Sequence, residues 1–450
     1  MSARRFKSYP AYKDSGVEWL GEIPAHWEVR RLKTVASVQL SNVDKKSVEG
    51  QESVRLCNYV DVYYNERITA DLNFMAATAT PEQARRFSLH AGDVLITKDS
   101  ESWTDIAVPA VVATDLPDVL CGYHLALVRP GSDCDGAFLA RAFSAIGPRD
   151  QFQVAANGIT RFGLGGDAIR SGVFATPPAQ EQRAIAAFLD RETAKIDALV
   201  AKKERLIELL QEKRAALITR AVTKGLDPTA SMKDSGVEWL GQMPKHWEPI
   251  RVKFLISRPL QYGANEVAEL SDPDLPRYIR ITDIRDDGSL REDTFRSLPE
   301  AVAAAYLLAE GDLLFARSGA TVGKTFRYEP TWGKAAYAGY LIRARLNEKE
   351  IGSRFAFYYT QSAAYWDWLR SNFIQATIQN VSAERYASLV LPVPPRLKQK
   401  EIVNYLDREA GKIGALVGLI ERAIDRVKEL RTALISAAVT GKIDVRGEAA

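Results

Sequence analysis

The sequence predicts an α+β protein in which two similar mixed α/β domains are joined by two long antiparallel helices that form a coiled coil. Three observations predict this fold and its internal pseudo-two-fold duplication. Two long helical stretches of similar sequence begin 217 residues apart, and two Trp-rich segments begin 220 residues apart. The regions between them contain short strand-like runs bounded by Gly, Asp and Pro.

The Trp-rich segments carry the clearest repeat. Lys13–Lys33 recurs as Lys233–Lys253 with 15 of 21 positions identical. Each half therefore has the same order of Trp-rich segment, globular stretch, Pro-Pro junction and long helix, which indicates an internal duplication. Large aromatic residues beside Pro and Gly usually anchor a loop, so we expect the tryptophans of these segments to pack and not to bind a ligand. They are Trp19, Trp27, Trp239 and Trp247.

Between the Trp-rich segment and the long helix, the two halves match only in outline. β-branched or alternating runs predict equivalent strands in both halves. The paired runs are Val54–Val62 with Pro276–Ile284, Ala91–Ser100 with Glu310–Gly319, and Cys121–Arg129 with Ala338–Leu346. Helical patterns cover Asp135–Ile146 and Ser353–Asn372.

The two helical stretches begin at paired prolines, Pro177 and Pro394. Apolar residues recur along them at alternating steps of three and four, which is the a/d pattern of a helix that packs along another helix. Lys203, Lys213 and Arg220 interrupt the pattern in the first stretch. Because so long an apolar stripe is predicted to be buried, each stretch is the expected partner of the other. The predicted seam consists of Ile196, Leu199, Leu206, Leu210, Leu217, Ile413, Leu416, Ile420, Val427, Leu430 and Leu434.

These patterns set the predicted domain boundaries. The boundaries are 1–176 for the first globular domain, 177–225 for the first long helix region, 226–393 for the second globular domain, 394–445 for the second helix region and 446–450 for a frayed tail.

Composition indicates a soluble globular protein, with 46% apolar and 26% charged residues and a net charge of +3. Cys57, Cys121 and Cys134 form no C-x-x-C pair, so we expect reduced thiols and no metal site. No apolar run approaches the length of a membrane span, and the N-terminus lacks the apolar core of a signal peptide. The expectation is a cytoplasmic protein without a membrane partner.

Catalytic motifs are missing from the sequence. Ser318–Thr325 resembles a phosphate loop, but its glycines are spaced four residues apart where the motif needs five. The Pro-Pro pairs at Pro177 and Pro394 lack the flanking residues of an amino-methyltransferase tetrad. We therefore expect a non-catalytic chain.

Local charge and polarity indicate candidate DNA contacts in both halves. Arg and Lys can contact phosphates, Arg can fork onto guanine, Asp or Glu can accept from cytosine N4, and Asn or Gln suits adenine. An ordinary solvated sheet face or loop is the alternative for any one of these residues. The candidates are Lys98, Asp99, Ser100, Glu101, Asn157, Thr160 and Arg161 in the first half, and Arg317, Ser318, Thr321, Lys324, Arg327, Gln375, Thr377, Gln379 and Asn380 in the second.

Several motifs together resemble the specificity subunits of type I restriction–modification systems. They are the repeated K-D-S-G-V-E-W-L-G-x-x-P-x-H-W-E motif, the P-P-x-x-x-Q junctions with F-L-D-R-E or Y-L-D-R-E, and the helix ends A-L-I-x-x-A-V-T. The likeness spans nearly the whole chain. It implies that each globular domain is a target-recognition domain, reading one half of an asymmetric bipartite sequence in double-stranded DNA.

The resemblance also implies partners. The helices would dock two modification (adenine methyltransferase) subunits, with restriction subunits outside them, in a prokaryotic cytoplasm. This chain would bind no cofactor, whereas the partners would use S-adenosylmethionine, and ATP with Mg for cleavage.

The helix length is consistent with a spacer between two half-sites. The 26 residues from Ile196 to Ala221 would span roughly 39 Å, near the length of one duplex turn, about 34–36 Å. Two alternatives remain: a duplicated coiled-coil protein-binding scaffold without DNA readout, and a self-contained methyltransferase or nuclease with degenerate motifs.

Overall fold

The structure is a computed structural model that describes residues 6–285, 288–371 and 380–448. The chain divides into two compact units, which we call unit 1 (Met1–Lys203 with Arg422–Ala450) and unit 2 (Glu204–Glu421). Each unit contains strands, short helices and a part of each long helix. The predicted mixed α/β class is confirmed.

Unit 1 contains a five-stranded sheet and a four-stranded sheet. Its strands are β1 (Tyr12–Asp14), β2 (Glu22–Pro24), β3 (Glu28–Arg31), β4 (Ala36–Leu40), β5 (Glu52–Cys57), β6 (Arg67–Ile68), β7 (Met75–Ala79), β8 (Ser88–Leu89), β9 (Val94–Thr97), β10 (Asp99–Ser100), β11 (Pro109–Val112), β12 (Leu116–Cys121), β13 (Leu125–Pro130), β14 (Phe162–Gly163) and β15 (Val173–Thr176). The larger sheet has the order β4-β13-β9-β11-β6, and the smaller has β7-β5-β12-β8.

Short helices in unit 1 precede the first long helix. They are α1 (Leu32–Val35), α2 (Tyr59–Tyr64), α3 (Pro81–Phe87), α4 (Gly136–Ser144), α5 (Pro148–Ala155) and α6 (Gly166–Ser171), and the long helix is α7 (Ala179–Lys224).

Among the described residues, unit 2 has fewer strands than unit 1. Its strands are β16 (Met232–Asp234), β17 (Gln242–Pro244), β18 (Glu248–Arg251), β19 (Gln261–Tyr262), β20 (Arg277–Ile279), β21 (Leu313–Ala316), β22 (Thr325–Arg327), β23 (Ala335–Tyr337), β24 (Leu341–Ala344) and β25 (Val390–Val393). Its helices are α8 (Glu300–Ala303), α9 (Ser353–Tyr359), α10 (Ala363–Ser371), α11 (Ala383–Ser388) and the long α12 (Arg396–Val439). The main sheet has the order β19-β24-β21-β22.

The central strand of each main sheet is buried on both faces. In β9, Val94 and Ile96 belong to the core that contains α4 and α7, whereas Leu95 belongs to the core between the two sheets. In β21, Leu313 and Phe315 pack on the helices, and Leu314 lies in the opposite core. Successive side chains of a strand point to opposite faces, so an uninterrupted apolar run predicts a strand covered on both sides.

At the start of each central strand, a buried aspartate pairs with a half-buried arginine. In unit 1, Arg129 donates from Nε and Nη2 to both carboxylate oxygens of Asp93, each at 2.8 Å. In unit 2, Arg345 binds Asp312 in the same bidentate way, at 2.7 and 2.6 Å. Both aspartates are almost fully buried, at 2% and 0% exposure. The pairs link β9 to β13 and β21 to the end of β24.

The strand registers correct the predicted alignment by one residue. Leu125 lies opposite Thr97 in unit 1, and Leu341 lies opposite Ala316 in unit 2. Leu125 is therefore equivalent to Leu341. The sequence pairing of Cys121–Arg129 with Ala338–Leu346 had instead aligned Leu125 with Ile342. A shift of one residue reverses the face of every side chain, so the burial pattern enforces the observed register.

Three predicted elements end sooner than expected. The strand predicted over Pro276–Ile284 stops at Ile279, before a 3-10 turn over Ile281–Asp283. The strand predicted over Val54–Val62 stops at Cys57, because Asn58 and Asp61 form a capping box that begins α2. The helix predicted over Ser353–Asn372 breaks between α9 and α10, where the Ser362 hydroxyl donates to the Tyr359 carbonyl at 2.7 Å. Such local side-chain bonds to the backbone compete with helix continuation. The helix predicted over Asp135–Ile146 is confirmed as α4, with Asp135 as its N-cap.

The Trp-rich segments form the same hairpin in each unit. Lys13 pairs with Ile23 in unit 1, and Lys233 pairs with Met243 in unit 2. Trp27 and Trp247 are buried, and Trp27 Nε1 donates to the buried carboxylate of Glu181 at 3.1 Å. Trp19 is 40% exposed, and Trp239 is half-buried.

The predicted seam residues fall into three groups by burial. Ile413, Ile420 and Leu434 are buried; Ile196, Leu210, Leu217 and Val427 are half-buried; Leu199, Leu206, Leu416 and Leu430 are exposed. The packing of α7 against α12 along the whole of this seam stays a prediction.

We expect Asp312→Ala to lower the free energy of unfolding by about 3–5 kcal/mol, because it leaves the Arg345 guanidinium without its buried partner. Urea denaturation of the full chain measures this change. The matched control is Asp367→Ala, which removes a carboxylate that is 51% exposed beside Arg370. That control should cost less than about 1 kcal/mol. Equal effects of the two substitutions would contradict the role given to the buried pair.

Candidate functional site

Three distant segments of unit 1 meet at Lys98. The Lys98 N–H donates to the His124 carbonyl at 3.0 Å, and the Lys98 carbonyl accepts from the Leu164 N–H at 2.8 Å. Beside these bonds β10 pairs with β14, and Asn157 bridges to Gly163. We call this meeting of segments the unit 1 junction. It brings together both groups of first-half candidates, 98–101 and 157–161.

Unit 2 contains the same junction, centred on Arg317. The Arg317 N–H donates to the Tyr340 carbonyl at 3.0 Å, and the Arg317 carbonyl accepts from the Val381 N–H at 2.9 Å. Ser318 bridges to Asn380. Lys98 and Arg317 are therefore equivalent positions, as the parallel of Ala91–Ser100 with Glu310–Gly319 predicts. We call this the unit 2 junction.

Charged side chains of the unit 1 junction contact one another in a chain. Lys98 Nζ lies 2.5 Å from Asp99 Oδ2 and 4.7 Å from the centre of the Tyr123 ring. The same carboxylate oxygen lies 3.3 Å from His124 Nδ1. Arg161 Nη2 lies 3.0 Å from His124 Nδ1 and 3.1 Å from Nε2. Lys98 is buried, Asp99 and His124 are half-buried, and Arg161 is exposed.

Aromatic residues extend this surface. Tyr59 lies 3.2 Å from the Ser100 hydroxyl and stacks on Tyr63 at 5.5 Å between ring centres. Burial raises the pKa of Tyr59, and the neighbouring Asp105 carboxylate raises the pKa of Tyr63. Both phenols are thus protonated donors at neutral pH. Exposed aromatic residues nearby in the chain are Trp103, Tyr123 and Tyr64, at 51%, 50% and 77% exposure.

The remaining first-half candidates lie at the rim of the unit 1 junction. Glu101, Asn157 and Thr160 are exposed. The Asn157 side-chain amide donates to the Ala155 carbonyl at 3.1 Å, which holds its loop.

The unit 2 junction has a different set of side chains. The Arg317 guanidinium lies 4.8 Å from the centre of the Tyr262 ring, and Ser318 and Thr321 are half-buried. Tyr340 is 60% exposed. Lys324 lies close by in the chain, where its carbonyl accepts from the Ala316 N–H at 2.9 Å.

Four of the second-half candidates lie either outside the unit 2 junction or outside the described residues. Arg327 is on β22, where its guanidinium donates to the Ser353 hydroxyl at 3.1 Å and to Glu329 at 2.6 Å, so it takes no part in the junction. Gln375, Thr377 and Gln379 lie outside the described residues.

The stretch that resembles a phosphate loop, Ser318–Thr325, forms a short 3-10 turn over Gly319–Thr321. This turn is followed by β22 and not by an α-helix.

Aromatic residues of the junctions were missing from the sequence-based candidates. Tyr123, His124, Tyr340 and Tyr262 all contact or neighbour the central basic residue. The sequence signal that could have identified Tyr123 and Tyr340 is the Gly-Tyr dipeptide that occurs in each half.

The glycine of the first dipeptide, Gly122, is required by close packing, because a Cβ there would lie 2.7 Å from the Cys57 carbonyl oxygen.

Within the described parts of the chain, no group of His, Cys, Asp and Glu side chains is arranged to hold a metal ion. Among the described helices, none is both long and apolar enough to cross a membrane.

We expect Gly122→Ala to displace the loop that carries Tyr123 and His124, because the added methyl group collides with backbone. The predicted cost is about 1–3 kcal/mol of unfolding free energy, measured by urea denaturation. Gly165→Ala is the control, because a Cβ at Gly165 meets nothing within 4 Å. A destabilisation by Gly165→Ala as large as that by Gly122→Ala would contradict the packing argument.

Comparisons with known proteins agree with this architecture. A family model described as Type I restriction modification DNA specificity domain matches residues 278–414. The chain is 20% identical over 439 residues to a protein of Methanocaldococcus jannaschii assigned as the type I restriction enzyme MjaX specificity subunit, covering 95% of this chain and 96% of that protein. It is 24% identical over 284 residues to the type I restriction enzyme EcoKI specificity subunit of Escherichia coli K12, covering 61% and 58%.

The fold is also shared with a solved structure described as the structural basis underlying complex assembly and conformational transition of the type I R-M system. The TM-score is 0.68 at 15% identity, over 93% of this chain and 98% of the other. Over nearly its whole length, the chain is thus similar in sequence to a specificity subunit of a type I restriction–modification system.

Proposed function

We propose that this chain is the non-catalytic DNA sequence-recognition subunit of a type I restriction–modification complex. Each unit reads one half of an asymmetric bipartite target in double-stranded DNA. The observation that carries the proposal is the repeated junction, in which the same backbone bonds present different side chains in the two units. One framework with two sets of contact residues suits two unlike half-sites.

The residues of each junction have the chemistry that base readout needs. Unit 1 presents an exposed arginine, Arg161, and an exposed carboxylate, Glu101. Unit 2 presents Arg317 with Ser318, Thr321 and Asn380. Arginine forks onto guanine, carboxylates accept from cytosine N4, and Asn pairs with adenine, whereas the other basic side chains serve phosphates.

We propose further that α7 and α12 pair antiparallel as a coiled coil and set the spacer between the half-sites. Within unit 1, Arg431 of α12 donates to Asp197 of α7 at 2.9 Å. Within unit 2, Tyr405 of α12 lines a cavity together with Leu217 and Ala221 of α7. In each pair an early residue of one helix meets a late residue of the other, as antiparallel helices require.

The domain division predicted from the sequence accompanies this proposal. Residues 1–176 and 226–393 are target-recognition domains produced by an internal duplication, and 177–225 and 394–445 are the helix regions. Two modification subunits dock on the helices, and restriction subunits join them. Methyl transfer from S-adenosylmethionine, and cleavage with ATP and Mg, take place in those partners.

The alternative of a protein-binding scaffold without DNA readout is not favoured, because the matched family model describes a DNA specificity domain. The two hypotheses differ in whether the assembled complex binds duplex DNA in a salt-dependent way. Phosphate contacts release counterions, so binding of the assembled complex to duplex DNA should weaken steeply with salt.

Methylated-base sequencing tests the proposed function directly. A host that expresses this chain with its cognate modification subunit should carry modified adenines in a split motif with two unlike halves and an unread spacer. The control host expresses the modification subunit alone and should show no such motif. A palindromic or continuous motif would count against two different reading units.

The spacer proposal predicts the effect of shortening both helices. Deletion of the equivalent heptads 203–209 and 420–426 removes about 10 Å of helix, and should shorten the spacer by about three base pairs while the half-sites stay unchanged. The same sequencing measures the spacer. The control replaces these heptads with helix-forming sequence of equal length and should keep the original spacing. A deletion variant that methylates the original motif would refute the spacer role.

A further inference from the structure

We infer that Arg161 is a specificity-determining residue that reads a guanine in the half-site of unit 1, and that His124 and Asp99 position it. This inference rests on the proposed function. It assigns one base contact to one side chain, from the contacts of the unit 1 junction.

The first step is the way in which Arg161 is held. Its Nη2 atom is almost equidistant from the two ring nitrogens of His124, at 3.0 and 3.1 Å. Equal distances place the guanidinium against the face of the imidazole and not in line with one lone pair. Beyond this contact of Nη2, the N–H groups on Nη1 and Nε have no acceptor among the described residues, so they are available to a ligand.

The second step is the rigidity of the support. His124 is fixed through its backbone carbonyl by Lys98 and through Nδ1 by the Asp99 carboxylate, at 3.3 Å. Asp99 is fixed in turn by Lys98 Nζ. The Lys98 side chain is only 11% exposed and lies over the Tyr123 ring. A base-reading side chain needs such a set of fixed neighbours, because a flexible arginine loses the orientation on which a bidentate contact depends.

The third step compares Arg161 with its neighbours. Lys98 is buried and engaged, and one oxygen of Asp99 already receives both Lys98 and His124. Arg161 is exposed, and apart from His124 no described residue accepts a hydrogen bond from its guanidinium. Arg161 is therefore the basic group of this junction that is both oriented and open to a ligand. A forked donor of this kind matches guanine O6 and N7 in the major groove.

The test begins with the motif methylated by complexes that contain Arg161→Ala. One position that is guanine in the wild-type motif should accept other bases, and every position in the other half should stay unchanged. Affinity of the purified complex for the wild-type duplex should fall about 10- to 100-fold. Replacing that guanine with 7-deazaguanine, which lacks the N7 acceptor, should weaken the wild-type complex but not the Arg161→Ala complex.

Arg170→Ala is the matched control. Arg170 is also exposed and belongs to unit 1, but it pairs with Asp167 on α6 and lies outside the junction. This variant should leave the motif unchanged. Relaxation of the same position by Arg170→Ala would show a general loss of positive charge and overturn the assignment.

Variants of His124 separate positioning from a structural role. His124→Ala should relax the same guanine position as Arg161→Ala, because the guanidinium loses the ring on which it rests. His124→Tyr should restore readout in part, since Tyr340 occupies the equivalent backbone position in unit 2. A purely structural role would weaken all positions of the half-site together and would not be rescued by the second ring.

The outcomes distinguish this inference from the proposed function. If the wild-type complex yields no bipartite motif, the proposed function fails. If it yields one and Arg161→Ala leaves every position of both halves unchanged, the function stands and the Arg161 assignment is overturned. Where Arg161→Ala abolishes methylation in the host, competition binding with duplexes that vary each base decides whether the guanine preference has been lost.

Discussion

Main-chain hydrogen bonds at Lys98 and Arg317 are the constraint on which the two junctions depend. Each of these residues donates its N–H to one loop and accepts from another, so three segments far apart in sequence are held at one point. Because the bonds use only backbone atoms, the side chains at the junction can differ without loss of the framework. Backbone geometry thus provides the position, and the side chains provide the selectivity.

The junctions are supported by sheets that cannot easily shift. β9 and β21 bury apolar side chains on both faces, so a slip of one residue would move every side chain to the wrong core. The bidentate pairs of Asp93 with Arg129 and Asp312 with Arg345 also oppose such a slip, since each aspartate would be left as a buried charge without its partner. A rigid sheet below a variable loop cluster is how a scaffold keeps recognition residues in place.

Sequence patterns predicted the elements whose causes are local. The apolar runs of β9 and β21, the helical pattern of α4 and the long periodic helices were all readable from residue order. The capping box at Asn58 and the Ser362 bond that separates α9 from α10 were present in the sequence but weaker than the surrounding patterns. The one-residue offset between β13 and β24 follows from tertiary burial, and the contact of Arg161 with His124 follows from folding across 37 positions, which no local pattern encodes.

One of the differences between the equivalent junctions is the residue that follows the central basic residue. In unit 1, the residue after the central lysine is Asp99, and its carboxylate engages Lys98 and His124. In unit 2 the equivalent residue is Ser318, which has no charge to offer, and Arg317 lies against the ring of Tyr262 instead. In the readout that we propose, this carboxylate makes the central cation part of the support, and Arg161 is the basic group that contacts the base. On equivalent backbone positions, the central basic residue is therefore held by a carboxylate in unit 1 and by an aromatic ring in unit 2.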